Sequence, residues 1–285
     1  MLLRQPADCI GRESRGGGGE SWLDRVLDGK GSSSGVNTVV SRETRETRGS
    51  GKHPVKWRSL EESAPSVAVR PLREIYAERK ELIAKYVPAA TQAVHGQAIR
   101  ELRQRNLAAS TLSVGARAPR FELEDHDGKI VRSPDLLARG RLVLCFIRGR
   151  WCPFCVGQME AMNGIVPQVE QAGGVLVAIS PQTVKQSYFM HDQHRLRFAL
   201  VSDAGNEVAR QFGLTYRVPP PQEAIYRRAF VNLPFTNGDD SWELPIPATY
   251  ILDRDGTIVY SSANEDYTDR PEPMAILEIL KREVR

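Results

Sequence analysis

The stretch Trp151-Cys152-Pro153-Phe154-Cys155 decides the fold, because it places two cysteines three positions apart where a strand is expected to lead into a helix. Before it, residues 141–148 form a short apolar run, typical of a strand buried on both faces. After it, apolar side chains recur at helical spacing from 156 to 171. Proline suits the first position of a helix. The pattern therefore predicts that Cys152 is the N-cap residue of that helix.

This position predicts an acidic thiol at Cys152. The N-cap of a helix faces unpaired backbone N–H groups and the positive end of the helix dipole, which both favour a thiolate. Arg148 and Arg150 add positive charge nearby, although the alternation of side chains along a strand can point either of them away from the sulfur. Cys155 lies one helical turn further on, so the pair can close a disulfide. We interpret the pair as redox-active.

Two other interpretations of the cysteine pair stay open. The pair could bind zinc, but a closed zinc site needs two further ligands. His191 and His194 are the only paired histidines available, and nothing else in the sequence indicates that they are ligands. The pair could also be two inert buried cysteines. We expect no metal and no cofactor.

Composition limits the class of protein. The 285 residues are 41% hydrophobic and 26% charged with a formal net charge of +4, which allows one globular domain and an appendage. Because basic and acidic residues are interspersed, this small excess does not argue for a nucleic-acid or membrane partner. No run approaches the roughly 18 apolar residues that span a bilayer, and no apolar signal segment follows Met1. We expect a cytoplasmic protein.

Three regions follow one another along the chain. Residues 1–66 are rich in Gly, Ser and mixed charges, which predicts a disordered extension. Residues 67–112 predict two helices that Pro88 separates, and that pair either packs on the main domain or mediates a homodimer. Residues 113–285 alternate strands and helices, with a long irregular insertion at 214–246. The insertion could cover the thiols, form an oligomer surface, or simply pack on the surface.

Two Asp-Gly turns, at Asp127-Gly128 and Asp255-Gly256, predict β-hairpins at either end of the main domain. The order of hairpin, strand, Cys-x-x-Cys helix, strand, helix, strand, helix, hairpin and helix resembles the thioredoxin fold with the additions seen in peroxiredoxins. It is most similar to the alkyl hydroperoxide reductase and thiol-specific antioxidant group. The segments that carry this resemblance are 78–88, 114–121, 146–155, 178–182, 200–203 and 242–250. The resemblance implies an α/β, thioredoxin-like mixed central sheet flanked by helices.

The resemblance also implies a set of roles. Cys152 would be the peroxidatic thiolate that attacks hydrogen peroxide or an organic hydroperoxide, and Cys155 would be the resolving thiol. Thioredoxin or another dithiol would reduce their disulfide. Trp151 belongs to the matching site motif. Pro247 falls where thioredoxin-like folds carry a cis-proline beside the active disulfide, so a cis Ile246–Pro247 bond is expected.

The sequence departs from that group in three places. Cys145 stands where peroxiredoxins have a proline, and Gly149 stands where they have a Thr or Ser that orients the peroxide. The later arginine of the group is absent near Pro247, so Arg148 or Arg150 would have to stabilise the leaving oxygen. These departures leave two alternatives open. The first is a thiol-disulfide oxidoreductase without significant peroxidase activity, and the second is a redox-responsive binding module.

Overall fold

The computed structural model describes residues 70–282. Within these residues the strands are β1 (Glu122–Asp125), β2 (Ile130–Arg132), β3 (Arg141–Phe146), β4 (Gly174–Ser180), β5 (Ala199–Ser202), β6 (Thr215–Arg217), β7 (Glu243–Pro245), β8 (Ala248–Leu252) and β9 (Ile258–Ala263). Seven of them form one sheet in the order β2-β1-β5-β4-β3-β8-β9, in which β3 is parallel to β4 and antiparallel to β8. The predicted mixed central sheet is confirmed.

Helices cover both faces of this sheet, as the resemblance implied. They are α1 (Leu72–Tyr86), α2 (Ala89–Gln104), α3 (Ser133–Arg139), α4 (Pro153–Asn163), α5 (Val166–Gln171), α6 (Val184–Gln193), α7 (Glu207–Gln211), α8 (Pro220–Arg228), α9 (Leu233–Asn237) and α10 (Pro273–Lys281). The side chains of β3 alternate between two apolar cores. Val143 and Cys145 lie in one core, whereas Leu144 and Phe146 lie in the other. The prediction of a strand buried on both faces is confirmed.

Both predicted hairpins are present. β1 pairs with β2 around Asp127-Gly128, and β8 pairs with β9 around Asp255-Gly256. Gly128 has φ +77° and Gly256 has φ +89°, backbone conformations that glycine adopts without steric cost. These turns fix the register of the strands at the two edges of the sheet.

The helix that follows the cysteine pair is shorter than predicted. A single helix was expected from the pair to Gln171, but α4 ends at Asn163 and α5 begins at Val166. Pro167 lies in the first turn of α5, where its missing N–H costs nothing. In a continuous helix the same proline would remove a backbone hydrogen bond and clash with the preceding turn.

The segment 214–246 is not irregular, so that part of the prediction is wrong. It contains α8, α9 and a two-stranded antiparallel ribbon of β6 and β7. Pro220 and Pro221 occupy the first turn of α8, where proline is tolerated. Asn232 then caps α9 by accepting the backbone N–H of Phe235 at 3.2 Å.

The two helices α1 and α2, here called the helical cover, pack on the rest of the domain and are separated at Pro88 as predicted. The Glu272 carboxylate accepts the first backbone N–H groups of α1, from Leu72 and Arg73, at 2.8 Å each. The Tyr76 hydroxyl donates to the carbonyl of Phe154 on α4. The helical cover is therefore anchored directly over the N-terminus of α4.

The predicted disordered extension lies outside the described residues, and the predicted domain boundaries stay predictions. In residues 70–282, no helix is both long enough and apolar enough to cross a membrane.

Candidate active site

The loop between β3 and α4 sets the position of the first cysteine. It turns at Gly149, whose φ of +141° is rarely adopted by residues with a side chain. A Cβ atom at this position would lie 2.7 Å from Nε1 of Trp151 and 3.2 Å from Oε1 of Gln182. Both the backbone conformation and the available space disfavour a Thr or Ser at position 149, which accounts for this departure from the group that the sequence resembles.

The two cysteines are placed as the sequence predicted. Cys152 is the N-cap residue of α4, and Pro153 takes its first position. The backbone N–H of Cys152 donates to the carbonyl of Gly149 at 3.1 Å, which closes the turn before the helix. Cys155 lies in the first turn of α4, three residues after Cys152. The Cys155 sulfur accepts the backbone N–H of Arg148 at 3.4 Å.

Burial reverses the acidity expected for Cys152, which is only 1% exposed. Desolvation, together with the adjacent Cys155 sulfur, raises the pKa of Cys152 well above its ordinary value, although Arg148 and Arg270 act in the opposite direction. Burial also raises the pKa of Cys155, but the hydrogen bond from Cys152 and the charges of Arg270 and Arg148 outweigh it, and the net pKa is well below its ordinary value. The raised pKa of Cys152 is opposite to the acidity that the sequence predicts for Cys152.

Arg148 is the buried cation of this site, with 1% of its surface exposed. Its Nη1 lies 3.9 Å from the Cys152 sulfur, and its Nη2 donates to the hydroxyl of Tyr226. The guanidinium carbon lies 4.8 Å from the ring centre of Trp151 and 4.2 Å from that of Tyr267. Cation–π contacts contribute about 0.5–2 kcal/mol each, which offsets part of the cost of burying the charge.

Arg150 lies on the other side of the loop. Its Nε donates to Oε1 of Gln186 on α6 at 2.7 Å, and its guanidinium carbon lies 5.8 Å from the ring of Phe189. The backbone N–H of Arg150 donates to Oε1 of Gln182 at 2.7 Å. Of the two arginines that the sequence singled out, only Arg148 adjoins the thiols.

Pro247 does not form the cis bond that was expected. The residues from 70 to 282 contain no cis peptide bond, so the Ile246–Pro247 bond is trans and that expectation is wrong. Pro247 is buried immediately before β8, and its carbonyl accepts the backbone N–H of Asn264 at 3.2 Å. That carbonyl is directed to Asn264 and is not hydrogen-bonded to a cysteine.

Arg270 is a site residue that the sequence did not reveal. Its Nη2 lies 3.7 Å from the Cys155 sulfur, and its Nε donates to Oε1 of Gln158 at 3.0 Å. Gln158 is buried on α4 and donates in turn to the hydroxyl of Thr249 on β8 at 3.2 Å. Arg270 follows Cys155 by 115 positions and precedes α10 in a segment without a motif, so no local signal connects the two.

The helical cover and α8 border a cleft of about 520 Å³ beside the thiol pair, which is open to solvent and is here called the chamber. Arg148, Trp151 and Cys152 form its floor, whereas Cys155 is not among the residues that line it. Most of the wall is apolar and is formed by Ile83, Val87, Ile99, Phe154, Ile225 and Val231. Cys152 is therefore the sulfur that a small molecule in the chamber would meet. The contribution of α8 agrees with one interpretation of segment 214–246, a cover over the thiols.

A mixed sheet with a Cys-x-x-Cys pair at the start of the helix after its central strand defines a thioredoxin-like thiol oxidoreductase. Residues 114–261, just over half of the chain, match the AhpC/TSA family. The chain belongs to this family and is a peroxiredoxin-like, thiol-dependent oxidoreductase of the peroxidase class. The helical cover and Arg270 both lie outside the matched residues.

Individual relatives are distant. The chain is 27% identical over 171 residues to the chloroplastic peroxiredoxin Q of Oryza sativa subsp. japonica, covering 59% of this chain and 68% of that protein. It is 22% identical over 163 residues to the thiol-disulfide oxidoreductase ResA of Bacillus thuringiensis subsp. konkukian, covering 56% of this chain and 76% of that protein. The crystal structure of peroxidoxin BcpB from Mycobacterium tuberculosis superposes with a TM-score of 0.49 at 21% identity, covering 61% of this chain and 99% of that one.

Proposed function

We propose that this protein reduces hydroperoxides through Cys152, with Cys155 as the resolving thiol, and that a dithiol such as thioredoxin regenerates the pair. The observation that supports this most is the arrangement on the chamber floor. The Cys152 sulfur lies 3.9 Å from the buried Arg148 guanidinium, and Cys155, whose pKa is lowered, follows one helical turn later. A nucleophile, a base and a cation thus adjoin one another.

The first step is the oxidation of Cys152. The proton of Cys152 moves to the Cys155 thiolate, and the resulting Cys152 thiolate attacks the terminal oxygen of the hydroperoxide. The S–O bond forms as the O–O bond breaks, which leaves a sulfenic acid on Cys152 and an alkoxide or hydroxide that takes a proton from water. Arg148 stabilises the negative charge that develops on the leaving oxygen.

The second step closes the disulfide. The Cys155 sulfur attacks the Cys152 sulfenic acid, the S–S bond forms, and the hydroxyl leaves as water after taking the Cys155 proton. Because Cys155 lies one helical turn after Cys152, the two sulfurs can meet without unfolding of α4. A dithiol then reduces the disulfide in two exchange reactions and becomes a disulfide itself. Since Cys152 is only 1% exposed, a protein reductant requires the helical cover to move.

Single-turnover oxidation of two variants tests this proposal. With one equivalent of peroxide, Cys152→Ser is expected to show no sulfur oxidation and no peroxide consumption. Cys155→Ser is expected to stop after one oxidation, as a sulfenic acid at Cys152 that thioredoxin does not cycle. Mass spectrometry after rapid thiol alkylation identifies the oxidised sulfur. Cycling of both variants at the wild-type rate would show that the mechanism is wrong.

The similarity to ResA supports a second candidate, a thiol-disulfide oxidoreductase that has no significant peroxidase activity. Gly149 also favours it, since the peroxide-orienting hydroxyl of peroxiredoxins is missing. Rates of Cys152 oxidation by peroxide and of insulin reduction, measured on the same preparation, distinguish the two candidates. The cytoplasmic location and the homodimer stay predictions from the sequence.

A further inference from the structure

Arg148 is a buried cation that no carboxylate pairs with in the part of the chain that the structure describes. Its guanidinium contacts the Cys152 sulfur and three aromatic side chains, those of Trp151, Tyr226 and Tyr267. None of the salt bridges among the described residues involves it. A guanidinium does not lose its proton in a protein, and a buried charge is costly unless an opposite charge lies beside it. Among these neighbours the thiol pair supplies the negative charge, because burial raises the pKa values of both tyrosines.

Three N–H donors from two arginines adjoin the sulfurs. Nη1 of Arg148 lies 3.9 Å from the Cys152 sulfur, and the backbone N–H of Arg148 donates to the Cys155 sulfur at 3.4 Å. Nη2 of Arg270 lies 3.7 Å from the Cys155 sulfur, and Arg270 is likewise in no salt bridge within the described residues. Donors and cations of this kind favour a thiolate over an uncharged sulfur. The fold therefore stabilises the reduced pair in an ionised form.

A disulfide has no charge to offer these cations. When Cys152 and Cys155 join, Arg148 stays buried among aromatic rings, and Arg270 loses its thiolate neighbour. A buried charge without its partner is strongly destabilising. The folded domain therefore favours the dithiol over the disulfide. A disulfide whose reduced form is stabilised is a strong oxidant of other thiols.

We propose that the Cys152–Cys155 disulfide acts as an oxidant and passes its oxidising equivalents to dithiols of other molecules. This inference goes beyond the proposed function, because it holds whichever oxidant forms the disulfide. A partner thiolate attacks the Cys152 sulfur, which lines the chamber, and the S–S bond breaks as Cys155 leaves. The lowered pKa of Cys155 makes it the better leaving group. The second partner thiol loses its proton to solvent and displaces Cys152, so the partner ends as a disulfide and the pair takes up its two electrons.

Equilibration with mixtures of reduced and oxidised glutathione at neutral pH tests the proposal. After acid quenching and alkylation, the disulfide is counted by mass spectrometry in the tryptic peptide 151–185, which contains both cysteines of the pair and no other. The equilibrium constant for reduction of the disulfide is expected to be at least about tenfold larger in the folded wild type than in the same protein unfolded in urea, which corresponds to a potential about 30 mV higher.

Substitutions of the arginines show whether their charge is the cause. Arg148→Met is expected to lower the folded equilibrium constant about tenfold, the effect of about one pKa unit at one thiol. Arg148→Lys keeps the charge and should retain part of the wild-type value. Arg150→Met is the matched control, because the Arg150 guanidinium contacts Gln186 and not a sulfur, and its constant should stay close to wild type. Arg270→Gln, at a less buried position, repeats the test if Arg148→Met does not fold.

Urea unfolding adds a readout that needs no exchange partner. An unstrained disulfide stabilises a protein by constraining the unfolded chain, whereas the wild type oxidised with diamide is expected to unfold at a lower urea concentration than the reduced protein. The difference should shrink in Arg148→Met and persist in Arg150→Met. Oxidised wild type as stable as the reduced protein, or equal effects of the two substitutions, would overturn the inference.

The outcomes separate this inference from the proposed function. A folded equilibrium constant at or below the unfolded one would overturn the inference and leave the peroxidase proposal intact. If peroxide fails to oxidise Cys152 while diamide still closes a disulfide with the raised constant, the proposed function falls and this inference stands. If no oxidant closes a disulfide between Cys152 and Cys155, both fall.

Discussion

The thiol site and the helical cover above it use opposite kinds of side chain. The thiol site concentrates charge, since Arg148 and Arg270 both approach a sulfur within a buried environment. The cover presents mainly apolar residues to the same chamber. We therefore expect charge beside Cys152 to govern its reactivity, and the shape of the cover to govern access to it. If this division is correct, substitutions on the two sides should change different measured quantities.

Among substitutions that keep both thiols, the largest effect is expected from Arg148→Met, which removes the cation beside Cys152. The rate of Cys152 oxidation by peroxide should fall about 100-fold, the scale associated with losing one group that stabilises charge in a transition state. Arg150→Met is the matched control, because Arg150 contacts Gln186 and Phe189 and not a cysteine. Its rate should stay within about threefold of wild type. Quenched-flow alkylation measures both rates, and similar losses in the two variants would contradict the assignment of Arg148.

Arg270→Gln should shift the pH dependence of the reaction rather than abolish it. The Arg270 guanidinium favours the thiolate and so contributes to the lowered pKa of Cys155. Without this charge the pKa of Cys155 rises, so the rate of Cys152 oxidation should be lower at neutral pH and approach the wild-type rate at alkaline pH. Arg270→Lys should retain part of the lowered pKa of Cys155, because lysine keeps the positive charge but lacks the planar guanidinium group.

A pH profile of the oxidation rate, together with thiolate absorbance in the ultraviolet, measures the shift for the two Arg270 variants. If Arg270→Gln lowered the rate by the same factor at every pH, Arg270 would have only a structural role through Gln158.

The sequence revealed the parts of this site that depend on neighbouring residues. Cys152 as an N-cap followed from Pro153 and the preceding apolar strand, and the hairpins followed from two Asp-Gly turns. Arg270 could not be predicted, because its contact with Cys155 spans 115 positions and depends on how the segment before α10 packs. The raised pKa of Cys152 also could not be predicted, because the dipole argument is local whereas burial depends on the assembled domain.

Tyr76→Phe tests how firmly the cover is attached. The Tyr76 hydroxyl donates to the carbonyl of Phe154, and the two rings meet edge to face with centres 5.1 Å apart. Removing the hydroxyl keeps the ring contact and loses one buried hydrogen bond, so the free energy of unfolding should fall by about 1 kcal/mol. Tyr86→Phe, on the same helix and 69% exposed, should change it by less than about 0.5 kcal/mol. Urea unfolding compares the two variants, and equal losses would argue against this anchor.

The smallest effect is expected at His95, a polar residue of the chamber wall on α2. Burial, reinforced by the charge of Arg148, lowers the pKa of His95, and its Nδ1 lies 2.9 Å from the amide nitrogen of Gln222, which donates to the neutral ring. A lowered histidine pKa contributes stability that is complete above the unfolded value of about 6.5 and is lost as the pH falls through the folded value. Between about pH 7 and pH 5 the free energy of unfolding should therefore fall more in wild type than in His95→Gln. The difference between the two proteins should be smaller than the effect of Tyr76→Phe. The lowered pKa of His191 acts equally in both proteins and cancels in the comparison. Urea unfolding at several pH values gives the free energy of unfolding of each protein as a function of pH. If wild type and His95→Gln showed the same pH dependence, protonation of His95 would not be coupled to the packing of the cover.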